Sequence, residues 1–344
     1  MSTEPLVQAI RLLAAHESLD GAMLTRAFGV IMRGEGTPAQ VAALLMALRV
    51  KGETAAEVAG VVQALRDAMV VLPATDPDSL VDTCGTGGGA ITTFNISTAA
   101  ALLAAGMGVR IAKHGNRSFT SRSGSADVLE ALGVVIETTP AAMAATLVEA
   151  GIVFMFAPLM HPALRHVGPV RRELAIPTVM NIVGPLANPA RAGRQVVGVA
   201  EPSRLHLLAD TLAVLGTRRA MVVHGEPGLD EVSPLGPTSV VEVIDGRLRE
   251  WIIDPALAQI CGVCEADLTG GEPAENAALI ETLLGGHGPA GAKAAVILNA
   301  AAAVYVSGAT VSYESAVSQS RDALASGAGA SALTRLRTAS RAHA

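Results

Sequence analysis

At 344 residues the chain is longer than one small core usually organises, so two unequal domains are expected. Charged residues make up 16% of it against about a quarter in ordinary globular proteins, and the formal net charge is -6, which disfavours a nucleic-acid partner. Cys84, Cys261 and Cys264 are too few and oddly numbered for a disulfide framework, and the N-terminus carries Glu4 rather than a basic, apolar leader; the expected compartment is the cytoplasm.

With one Trp, two Tyr and five Phe, the core must come from Ala, Val and Leu, a composition suited to helices packed on a sheet. The first 72 residues read as helix after helix, with apolar residues at helical spacing in Leu6, Ile10 and Leu13 and again in Leu44, Leu45 and Leu48. Thr37-Pro38-Ala39-Gln40 and Thr54-Ala55-Ala56-Glu57 are capping boxes that mark two helix starts. Prolines and short polar residues over 72–78 then read as a linker. From Val81 onward short apolar runs at 109–112, 134–136, 152–156, 196–199 and 220–223 alternate with helical stretches, the pattern of a mostly parallel sheet. Residues 240–244 and 248–253 around Asp245-Gly246 read as an antiparallel hairpin added to it, and the chain from Glu275 reads as helical. The two most apolar windows, 140–160 and 289–309, are interrupted by Glu149 and by Lys293 and Asn299. Neither gives the span of about 20 apolar residues that a bilayer requires, so no membrane helix is expected.

Asp82-Thr83-Cys84-Gly85-Thr86-Gly87-Gly88-Gly89 sets four glycines between a strand and a helix whose cap is Asn95, Ser97 or Thr98. Glycine there lets backbone N–H groups approach phosphate closely. Two familiar loops compete for the stretch. Gly85-x-Gly87-x-x-Ala90 fits a dinucleotide fingerprint only formally, because no acidic residue follows about 20 positions on. A Walker loop needs Lys and Ser or Thr after its last glycine, where this chain has Ala90-Ile91-Thr92. A second polar cluster, Lys113-His114-Gly115-Asn116-Arg117-Ser118, lies where a strand should end, and Ser121, Ser123 and Ser125 continue its donors; phosphate suits both segments. Cys261-Gly-Val-Cys264 lacks the two further ligands of a zinc site and reads as structural.

Gly85-Thr86-Gly87-Gly88, Asn95-Ile96-Ser97-Thr98, Lys113-His114-Gly115-Asn116-Arg117 and Ser123-Gly124-Ser125-Ala126-Asp127 closely resemble the anthranilate phosphoribosyltransferase family. So do Val170-Arg171-Arg172-Glu173-Leu174, the run from Asn181 to Pro189, and Gly228-Leu229-Asp230-Glu231-Val232, in order and spacing over nearly the whole chain. The resemblance implies an α/β fold of the nucleoside phosphorylase and phosphoribosyltransferase type. A small all-helical domain over 1–73, joined by a returning segment near 162–190, would accompany a large domain over 78–344 with a mostly parallel central sheet flanked by helices. It implies phosphoribosyl transfer from phosphoribosyl pyrophosphate to anthranilate, with Mg²⁺, in tryptophan biosynthesis, and a homodimer. By the same resemblance Gly85, Gly88, Gly89, Thr93, Asn95, Ile96, Ser97, Thr98, Lys113, His114, Gly115, Asn116, Arg117, Ser118, Phe119, Thr120, Ser121 and Ser125 would hold phosphoribosyl pyrophosphate. Gly85, Asn116 and Arg171 would face anthranilate, the guanidinium pairing with its carboxylate. Ser97, Asp230 and Glu231 would ligate metal; taken alone, two adjacent carboxylates are more often a solvated surface pair. No covalent nucleophile is required. His114 is either a proton acceptor or a structural histidine, and His161 and His166 pack or face the substrate.

One departure stands out: the family's loop usually reads Gly-Thr-Gly-Gly-Asp, and this chain has Gly89 in the aspartate's place. Activity is expected to persist with Asp230 and Glu231 carrying the metal. The alternatives are a pyrimidine-nucleoside phosphorylase of the same fold, opposed by Arg171 and the Lys113 to Arg117 segment, and a non-catalytic nucleic-acid-binding relative, opposed by the acidic balance.

Overall fold

A computed structural model of the chain describes residues 3–118 and 122–344; Phe119, Thr120 and Ser121 of the expected phosphate segment lie outside the described residues. Four helices open the chain: α1 (Glu4–Ala14), α2 (Gly21–Met32), α3 (Pro38–Lys51) and α4 (Ala55–Ala68). Their starts have local causes. The Asp20 carboxylate accepts from the Met23 N–H, and both threonine capping boxes form as read, Thr37 with Gln40 and Thr54 with Glu57.

After an irregular stretch, β1 (Val81–Gly85), α5 (Ile96–Gly106), β2 (Ile111–Gly115), α6 (Ser125–Ala131), α7 (Pro140–Ala150) and β3 (Ile152–Phe156) follow in order. Short helices α8 (Ala157–Met160), α9 (Gly168–Leu174) and α10 (Met180–Val183) carry the chain to β4 (Arg194–Gly198), and α11 (Leu205–Val214) leads to β5 (Arg219–Gly225). The expected hairpin is β6 (Thr238–Ile244) and β7 (Arg247–Ile253), and α12 (Pro273–Leu284), α13 (Ala290–Ser307), α14 (Tyr313–Ala325) and α15 (Ala328–Ala342) complete the chain.

The sheet runs β3-β2-β1-β4-β5-β6-β7, parallel through β5 and antiparallel at β6 and β7. The chain winds outward from β1 to β3 and then restarts on the other side at β4. The order therefore reverses between β1 and β4, which is where α/β sheets open a crevice at their carboxyl ends. Strand residues are buried on both faces: Met221 and Val223 face one core, Ala220 and Val222 the other. The run at 134–136, expected to be a strand, is not one. Val134 and Ile136 sink into the main core, while the Val135 N–H bonds the Ser340 hydroxyl of α15 rather than a neighbouring strand.

Helix α13 is long and apolar enough to cross a membrane by length and composition, but 83% of it is buried within the fold, packed against α5 and α14. The first four helices share their core with Val170, Val179, Met180, Ile182 and Val183, and that core continues through Leu208 and Leu212 of α11 to Val197 and Val222 of the sheet. The side chains of α9 and α10 are thereby held between the helical unit and the crevice.

Candidate active site

The glycine segment leaves β1 without regular structure until α5 begins at Ile96. Gly87 and Gly88 take φ of +71° and +80° in succession, a backbone path that side chains with a Cβ rarely follow. Gly85 and Gly198, at the ends of β1 and β4, have a different cause. A Cβ on Gly85 would lie 2.3 Å from Asp230 Oδ2, and one on Gly198 would lie 1.7 Å from the Asp230 carbonyl oxygen. Both strands end without side chains so that Asp230 and Glu231 can sit across the switch point.

These carboxylates are not a solvated surface pair. Asp230 Oδ2 accepts from the Gly87 N–H at 2.8 Å and Glu231 Oε1 from the Ser97 N–H at 3.1 Å, which ties both ends of the glycine loop to one turn. Burial raises the pKa of Asp230, and burial together with the Asp230 charge raises that of Glu231 to about 8. Lys113, 3% exposed, donates to the Thr83 carbonyl and to Ser97 Oγ; burial lowers its pKa against the pull of Asp82 and Glu231. The pair is an oxygen-only donor set incompletely neutralised by protein, which fits a hard cation that also keeps waters and substrate oxygens. Among the described residues no cluster of three or more His, Cys, Asp or Glu is present, so the protein supplies no complete cage there.

A cavity of about 720 Å³ opens between the carboxyl ends of β1, β2 and β4 and the segments carrying α9 and α10. Gly85, Gly88, Asn95, Ser97, Thr98, Lys113, His114, Gly115, Asn116, Arg117, Ser118, Ser125, Arg171, Asp230 and Glu231 all line it. One buried polar atom in its wall, Thr98 Oγ1, has no protein partner, while the His114 and His161 rings face the backbone of Gly184 and Ala187. Unsatisfied polar atoms of this kind are rare in folded proteins, and water or a polar guest in the cavity would satisfy this one.

The two histidine rings lie 5.0 Å apart. Burial lowers the pKa of His114 to about 3, with His161 adding to the shift, and burial lowers that of His161 to about 4. Both rings are held neutral at pH 7 and are poor proton acceptors, which weighs against His114 as a proton acceptor.

Two consecutive stretches of the chain match models of one family, described as the glycosyl transferase family: its helical bundle domain over residues 7–69 and its a/b domain over 77–330. An anthranilate phosphoribosyltransferase of Rubrobacter xylanophilus is 46% identical over 336 residues, 98% of each chain, and one of Thermomicrobium roseum is 46% identical over 96% of this chain and 95% of its own. The chain belongs to the anthranilate phosphoribosyltransferase family. The crystal structure of the Thermus thermophilus member superposes with a TM-score of 0.91 at 42% identity, covering 97% of this chain and 99% of that one. The Saccharomyces cerevisiae member, in complex with PRPP and Mg, gives 0.89 at 26% identity and 99% coverage of both.

Set in that family, the expected residues divide into those at the cavity and those behind it. Gly89, Thr93 and Ile96 do not line it: Ile96 is a core residue, and Thr93 bridges to Thr269. Arg117 reaches the wall with its guanidinium committed to Asp127 and Glu130 and stacked over Phe156, which makes it a brace of α6 more than a free phosphate donor. Arg171 lines the cavity while Arg172 is exposed. Arg49, Arg204, His161 and the stretch around Pro177 also line the site. Arg49 and Arg204 belong to no local pattern, and only the packing of α3 and α11 against α9 and α4 brings them there.

Proposed function

We propose that the cavity binds 5-phosphoribosyl 1-pyrophosphate and anthranilate together. The chain transfers the phosphoribosyl group to the amine of anthranilate, giving N-(5-phosphoribosyl)anthranilate and pyrophosphate, in tryptophan biosynthesis. The observation that carries this reading is that the glycine loop, the paired carboxylates and Arg171 share one cavity.

The ribose C1–O bond to pyrophosphate breaks while the anthranilate nitrogen bonds to C1 and gives up a proton to water or to the departing pyrophosphate. Charge builds at C1 and on the leaving group, so catalysis is mainly electrostatic and positional. The loop N–H groups, Thr98 Oγ1, Ser97 and Lys113 would receive the phosphates, and Arg171 with Asn116 would orient the carboxylate of anthranilate. Mg²⁺ held by Asp230, Glu231 and Ser97 would supply charge neutralisation on the departing pyrophosphate. Residues 1–73 with the returning segment near 162–190 form the small domain, and 78–344 the large one, with the cavity between them. The working form is a cytoplasmic homodimer, a reading supported by membership of the family and tested by sedimentation.

The test of the reaction is the loss of anthranilate fluorescence with phosphoribosyl pyrophosphate and Mg²⁺. Turnover is expected. Its absence, with phosphorolysis of a pyrimidine nucleoside instead, would overturn the reading.

A further inference from the structure

We propose that Asn276 of α12, outside every motif named above, is a positioning residue that, together with the Ser123 carbonyl, fixes the Asn95 side-chain amide in the phosphate cradle. The inference rests on the functional reading and adds a residue to it.

Asn95 stands at the N-cap of α5 and lines the cavity, yet its side chain caps no helix N–H. Its bonds go elsewhere. Oδ1 accepts from the Ser123 hydroxyl at 3.1 Å and from Asn276 Nδ2 at 3.0 Å, and Nδ2 donates to the Ser123 carbonyl at 3.0 Å. Asn276, 3% exposed, accepts at Oδ1 from the Gly271 N–H at 2.8 Å.

The backbone groups at the two ends fix which way both amides point. The Gly271 N–H can only donate, so it faces Asn276 Oδ1. Asn276 Nδ2 is then turned on Asn95, whose facing atom must be an acceptor. The Ser123 carbonyl can only accept, which independently requires Asn95 Nδ2 on that side. Both anchors demand the same orientation, and it leaves Asn95 one amide hydrogen for an anionic oxygen in the cavity. The segment before α12 braces the same junction: the Phe94 N–H bonds the Leu268 carbonyl at 2.9 Å and the Gly270 N–H the Thr92 carbonyl at 3.2 Å.

Two substitutions test this. Asn276→Leu keeps the branched skeleton and removes both the donor to Asn95 and the acceptor for Gly271, whereas Asn276→Asp keeps the acceptor for Gly271 and sets a carboxylate oxygen against Asn95 Oδ1. For the leucine variant, KM for phosphoribosyl pyrophosphate should rise about tenfold, the worth of one hydrogen bond, with kcat within about twofold. For the aspartate variant, KM should be higher still at pH 8 and recover as pH falls toward 6, because a buried carboxyl that takes up a proton can again donate to Asn95. Thermal melts establish that each variant is folded, and the pH series on the aspartate variant carries the test if the leucine variant is not. A folded leucine variant with wild-type KM, or an aspartate variant whose KM tracks wild type across pH, would overturn the role. Absence of turnover in the wild type would instead refute the functional reading.

Discussion

Gly89 shows how tightly the carboxylate corner is drawn. A Cβ there would lie 3.1 Å from the Gly228 carbonyl oxygen and 3.3 Å from Asp230 Oδ1, closer than most real contacts but open to a shift of a few tenths of an ångström. Gly89→Asp should therefore fold and bring a third carboxylate within reach of the pair, changing the Mg²⁺ concentration at which turnover is greatest. Superimposable Mg²⁺ profiles for the two proteins would sink that expectation. The pair also leaves a mark on stability without metal. Glu231 has a folded pKa raised to about 8, so its contribution is fully present below the unfolded value and is lost as pH rises through 8. His114 and His161 act in the opposite sense: their depressed values give stability above the unfolded histidine pKa that is lost on acidification. Between pH 6.5 and 8 the glutamate lowers stability as pH rises, by at most about 1.4 kcal/mol per pH unit. The Tm of metal-free protein should fall across that window by on the order of 2–3 °C, and Glu231→Gln should flatten the slope. A Tm that is level in the wild type would mean that the glutamate is already ionised.

Among the elements, α2 and α4 cross with almost nothing between them. A Cβ on Gly60 would lie 2.3 Å from the Gly21 carbonyl oxygen, and the Thr25 hydroxyl donates to both the Gly21 and Gly60 carbonyls, at 2.9 and 3.0 Å. Gly60→Ala gains about 1 kcal/mol of helix propensity, but the clash is with backbone, which cannot rotate away. Overpacking of this kind costs about 1–3 kcal/mol and should win, lowering the denaturant midpoint with kcat little changed. A more stable variant would show that the helices can separate freely. The start of α4 itself was legible in the sequence, because Thr54 and Glu57 act within one turn, and so was the β6–β7 hairpin around Asp245-Gly246. The crossing was not, since Gly21 and Gly60 meet only after four helices have packed. The short run at 134–136 was misread for a related reason. Three apolar residues fit a strand or a core-facing turn equally well, and the Ser340 hydroxyl that decides between them lies 205 residues away.

At the scale of the whole molecule, the motifs gave the loop, the carboxylates and Arg171, whereas Asn276, Arg49 and Arg204 reach the site only through the packing of distant segments. Arg204 offers the sharpest test of how the helical unit and the sheet are joined. Its Nη1 lies 2.8 Å from Glu53 Oε2 in the turn between α3 and α4; the Glu53 side chain is 1% exposed and its Oε1 has no partner. Arg204 also lines the cavity, alongside Arg49 and Leu65 of the helical unit. Removing the cation by Arg204→Ala strands a buried carboxylate, which costs about 3–5 kcal/mol, far more than an exposed pair is worth. Replacing both partners, Glu53→Gln with Arg204→Met, removes the stranded charge as well and should restore most of the lost stability. If the pair acts mainly as a joint, the single variant will raise KM for both substrates along with its lower Tm, because the wall shared by the two units loosens, and the double variant will recover Tm ahead of KM. A double-mutant cycle on Tm and KM measures both. Additive effects of the two substitutions would show that the units are held by the apolar core through α11 alone, with the ion pair incidental.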